Sequence, residues 1–126
     1  MEHTPANQEL IERSDLDIRM RSVPPLLKRV TYSVAAMIIP KARTVFGNAS
    51  FSVDLKSINY PVLTFSMRRS DSVLWTLGLD LPGEQRLRLM TSEDRKGLIR
   101  EKIKTGLLKV EEIKNAQANR ASSRSF

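Results

Sequence analysis

Leu16-Asp17-Ile18-Arg19-Met20-Arg21 alternates apolar and charged residues without interruption, the period of a strand with one buried face. Pro24-Pro25 ends it, and from there the apolar spacing changes. Leu26, Leu27, Val30, Val34, Met37 and Ile38 fall on one face of a helix. Val30, Tyr32, Val34, Ala36 and Ile38 fit a strand as well, and several of them are β-branched or aromatic. The proline pair in front and Pro40 behind favour the helix, as its start and stop. Nearer the N-terminus, Thr4 as cap and Pro5 at the first helical position predict a short helix to Arg13.

Beyond Lys41 the pattern reads as strands. Gly47-Asn48 separates Thr44-Val45-Phe46 from Ser50-Phe51-Ser52-Val53-Asp54-Leu55, which predicts a tight hairpin. Leu63, Phe65 and Met67 alternate with Thr64, Ser66 and Arg68 in a next strand. After a turn at Ser70-Asp71, Val73, Trp75, Leu77, Leu79 and Leu81 share one face of another. Pro82-Gly83 turns the chain again, and Arg86-Leu87-Arg88-Leu89 reads as a short final strand. Short connections between successive strands imply an antiparallel meander.

The last element is a helix opened by Thr91, with Asp94 at capping-box spacing and Glu93 and Asp94 where the helix dipole favours negative charge. Ile99, Ile103, Gly106, Val110 and Ile113 recur along one face to about Gln117. A glycine on that stripe predicts close approach of a neighbouring element. Residues 118–126 read as a flexible basic Ser/Arg tail behind a single domain of residues 1–117, whose first few residues are also expected to be mobile. The expected fold is α+β: an antiparallel four- or five-stranded sheet covered on one face by amphipathic helices, including the long C-terminal one.

Composition narrows the chemistry. A chain of 126 residues, 40% of them apolar, can hold a core without a disulfide or a metal. It has no cysteine, which removes thiolate nucleophiles, thiolate zinc sites and iron–sulfur clusters. Its one histidine is His3, in a segment expected to be mobile, and no Gly-rich phosphate loop is present. We therefore expect no enzyme and no cofactor. An acidic, polar N-terminus is no secretion signal, and no apolar run approaches the length of a membrane span, so a cytoplasmic or nuclear location is expected.

Charge supplies the functional lead. The net charge is +7, and residues 92–126 alone carry 9 basic against 5 acidic side chains. Such a balance favours anionic partners. On strands, Arg19 and Arg21, Arg68, and Arg86 and Arg88 would stand opposite the core residues, and adjacent strands would gather them into one guanidinium-rich face for phosphates. Arg120 and Arg124 in the tail could add contacts. The cations of the C-terminal helix are interleaved with Glu101, Glu111 and Glu112 and read as a solvated face. Tyr60 is the best aromatic candidate for base stacking. The leading expectation is a non-enzymatic binder of nucleic acid, RNA or single strands, driven by backbone contacts. The alternative is a peripheral, self-assembling protein of the small viral matrix type, or an accessory protein, that binds an anionic membrane or an acidic protein partner. A homo-oligomer fits either reading, and no small-molecule substrate is evident.

Overall fold

The computed structural model describes residues 23–47, 50–55, 57–69 and 72–123; for 50–52, 69, 72–74 and 119–123 it describes the backbone alone. The predicted helix before Arg13 and the predicted strand Leu16–Arg21 lie outside the described residues.

Helix α1 (Pro25–Phe46) begins as its prolines suggest, with Pro25 in the first turn and Pro24 at the cap position. Pro24 has no side chain able to accept from the free N–H groups of the first turn. A carboxylate from far along the chain does so instead: Glu84 accepts from Leu26 N at 3.4 Å and Leu27 N at 2.9 Å. The negative charge also sits at the favourable end of the helix dipole. The helix buries Leu27, Val30, Thr31, Val34, Ala35, Ile38, Ile39 and Ala42.

Pro40 does not end this helix, contrary to the sequence reading. It lies inside it, and the chain stays helical to Phe46. An internal proline loses one backbone bond and costs about 3 kcal/mol. Set against that, the buried stripe continues through Ala42, and Phe46 lies against Trp75 with ring centroids 5.0 Å apart. Thr44-Val45-Phe46 is thus the last helical turn and not a hairpin strand. Gly47, at φ +83°, closes the helix, its N–H bonded to Arg43 O at 2.8 Å.

Strands β1 (Ser50–Leu55), β2 (Val62–Arg69) and β3 (Ser72–Asp80) form an antiparallel meander in the order β1-β2-β3. Val53 pairs with Phe65, Phe65 with Leu77, and Met67 with Trp75. These side chains and those of Leu63 and Leu79 are buried on one face, under the helices. Thr76, Asp54, Arg68 and Asp80 are exposed on the other.

Among the described residues the sheet has three strands, not four or five. The expected final strand is a short helix, α2 (Glu84–Leu89). Residues two apart point in nearly opposite directions on a helix. Accordingly Leu87 is fully buried and Leu89 is 84% exposed. Strand alternation would have buried both.

Helix α3 (Ser92–Ser123) starts as predicted, with Thr91 Oγ1 accepting from Asp94 N at 3.0 Å. It runs past Gln117, so residues 118–123 continue the helix. The segment holds Ala118, Arg120 and Ala121, strong helix formers, and neither Gly nor Pro. Gly106 and Val110 are buried, and Ile99, Ile103 and Ile113 pack half-buried on the core. Lys109 Nζ donates to Gly78 O at 2.8 Å and ties α3 to β3.

One buried polar group stands out. Thr31 is 0% exposed, and its hydroxyl has no hydrogen-bond partner among the described residues. An unsatisfied buried hydroxyl costs stability, while valine has nearly the same shape. Thr31→Val should raise stability by about 1 kcal/mol in urea unfolding. A loss of similar size would show that the hydroxyl is satisfied in solution.

Candidate binding surfaces

The sequence-predicted arginines fall into separate places. Arg68 is exposed on the open face of the sheet. Arg86 and Arg88 are exposed on α2, at one end of the core, rather than on a strand beside it. Arg19, Arg21 and Arg124 lie outside the described residues, and Arg120 is placed in α3 by its backbone alone. Among the described residues the strands therefore gather no arginine face, because Arg86 and Arg88 stand on a helix.

A different grouping forms around α2. Leu81 N bonds to Pro61 O at 2.9 Å, which joins the two connections at this end of the sheet. Gly83 then passes close to the 58–59 backbone; a Cβ there would stand 3.2 Å from Ile58 O and 3.3 Å from Asn59 O. This contact sets Tyr60 beside the start of α2. Tyr60, 84% exposed, lines a cavity of about 610 Å³ with Ile58, Arg86 and Arg88.

The two arginines differ in freedom. Arg88 Nε is paired with Glu84 at 3.3 Å, and Glu84 is itself only 11% exposed because it caps α1. Arg88 is thus tethered at Nε while its side chain stays 68% exposed. Among the described residues Arg86 makes no ion pair, and it lines a second cavity too, of about 440 Å³, with Lys102, Asp80, and a floor of Leu81, Met90 and Leu98. Arg86 borders both cavities, so the one lined by Tyr60 and Arg88 adjoins the one lined by Lys102. Arg95 secures the platform by donating from one Nη to Leu87 O at 3.0 Å and Met90 O at 2.7 Å. That closes the C-terminal end of α2 with a positive charge, as its dipole favours.

The sequence singled out Tyr60 and paired Arg86 with Arg88, but gave no reason to bring the three together. Lys102 was read as part of a solvated face. The signal that could have joined them was Gly83, whose lack of a side chain lets the two connections touch.

A third depression lies between α1 and α3. Met37, Ile103, Leu107 and Leu108 form its floor, and Lys41, Arg100, Lys104 and Glu111 its edges; its volume is about 590 Å³. Among the described residues no cluster of His, Asp or Glu could hold a metal ion, and no helix is long and apolar enough to cross a membrane. No family model, no curated protein and no solved structure matches the chain.

Proposed function

We propose that this chain is a non-enzymatic protein that binds single-stranded nucleic acid, RNA above all, along the track from Tyr60 to Lys102. The observation that carries this reading is the exposed Tyr60 ring sharing one cavity with Arg86 and Arg88. Single strands are held by aromatic rings that stack on bases and by cations that follow the phosphates, and neither contact reads a sequence. Tyr60 supplies the ring. Arg86, with no acid partner among the described residues, and Lys102 supply the phosphate contacts. Asp80, in the second cavity, can accept from a base amino group. The overall charge of +7 adds attraction at long range.

The test is affinity for a uridine oligomer, measured by fluorescence anisotropy across a salt series. Tyr60→Ala should cost about 1–3 kcal/mol, roughly 5- to 150-fold, because stacking is lost. Tyr60→Phe should retain most of the affinity. Arg86→Ser should flatten the plot of log affinity against log salt by about 0.7, the value of one phosphate contact on a single strand. Both side chains are exposed, so thermal melts should barely move. Unchanged affinity in a folded Tyr60→Ala variant would remove this track as the binding site.

A further inference from the structure

We propose that the groove between α1 and α3 is a second binding surface, and that its occupant is an acidic amphipathic helix of a protein partner. The inference does not rest on the nucleic-acid reading. Arg100 and Lys104 lie on the opposite flank of α3 from Lys102, since positions two apart on a helix differ by about 200°.

The floor is apolar and open to solvent. Met37 of α1 is 48% exposed and Leu108 of α3 is 56% exposed, with the half-buried Ile103 and Leu107 between them. An aliphatic floor rimmed by charged side chains is the form that an interaction groove takes. The rim is cationic: Arg100 and Lys104 make no ion pair among the described residues. Lys41 is matched by Glu111 at 3.4 Å, and both side chains remain 41% exposed. The free rim charge is thus positive beside an apolar floor, and a complementary occupant must bring apolar side chains and carboxylates together.

Shape selects among anionic amphiphiles. A bilayer is flat on this scale and reaches protruding side chains first, whereas Ile103 and Leu107 are half-buried against the core. A nucleic-acid backbone needs charge but gains nothing from an aliphatic floor, and no aromatic ring lines the groove for stacking. A helix is convex, and laid in the valley between two helices it presents apolar side chains at i, i+3, i+4 and i+7 to the floor. Its flanking Glu or Asp residues then meet Arg100 and Lys104.

The probes are two synthetic amphipathic helical peptides with the same leucine face, one flanked by glutamates and the other by lysines. The full chain should bind the acidic peptide, and the basic one roughly tenfold more weakly, since rim charges set partner choice. The double variant Arg100→Glu with Lys104→Glu should invert that preference. Leu108→Ser should weaken both peptides, and Tyr60→Ala neither. The charge-reversed variant should still bind the uridine oligomer, which separates failure here from failure of the nucleic-acid reading. Equal binding of the two peptides, or none, overturns the proposal. So does sedimentation with phosphatidylserine vesicles that Leu108→Ser abolishes, because the occupant would then be a membrane.

Discussion

Gly106→Val should destabilise the protein by about 1–3 kcal/mol or more, the range for forcing extra carbons into a filled core. A Cβ at this position would collide with Cδ1 of Ile38, stand 2.9 Å from its Cγ1, and lie 3.3 Å from Leu79 Cδ1. Ile38 is 1% exposed, so its side chain would have to shift within the core. The glycine is therefore where α3 seats against α1 and β3 at once. Alanine is the subtler probe. In a free helix, Gly→Ala would gain about 1 kcal/mol. Here the collision should cancel that gain or reverse it. Ile38→Val removes the Cδ1 methyl and should cost about 0.5–1.5 kcal/mol alone. Combined with Gly106→Ala it should cost clearly less than the two single effects together, since the new methyl fills the vacated space. Urea denaturation of the four proteins closes the cycle. A Gly106→Ala variant stabilised by the full propensity difference would show that α3 does not sit this close in solution.

That glycine was legible in the sequence because it interrupts an otherwise β-branched and aliphatic stripe, and only a packing constraint explains it there. The two strands centred on Phe65 and Leu77 were legible for a similar reason: one face of each is buried, so alternation survives. Pro40 misled because its backbone cost is a local quantity, whereas the Phe46–Trp75 contact joins residues 29 positions apart. Arg86-Leu87-Arg88-Leu89 misled in the opposite sense. Four residues with two leucines satisfy a two-residue period by chance, and nothing local says that only Leu87 is buried. The cap of α1 was not readable at all, because Glu84 lies 57 positions from the N–H it accepts. The candidate site suffered most from this, since its members come from the β1–β2 connection, α2 and α3. Their grouping is a property of the tertiary fold, and the sequence showed only the residue types.

The comparison of Leu87 with Leu89 tests the element on which that site stands. Leu87→Ala should destabilise the chain by about 2–5 kcal/mol, as for a fully buried leucine. Leu89→Ser should stay within about 0.5 kcal/mol, because Leu89 faces water. On a half-buried strand the two would cost alike, so the asymmetry separates helix from strand without another structure. A helix of six residues has too few internal bonds to persist alone. It is held by the Leu87 side chain, by Glu84 at the start of α1, and by Arg95 on its last carbonyls. Removing the leucine should loosen all three together. It should also weaken binding of the uridine oligomer at temperatures where the rest of the chain stays folded, since Arg86 and Arg88 would no longer be held beside Tyr60. Amide exchange across 84–89 should rise in step with that loss. If Leu87→Ala costs no more than Leu89→Ser, α2 does not carry the platform, and the track from Tyr60 to Lys102 loses its support.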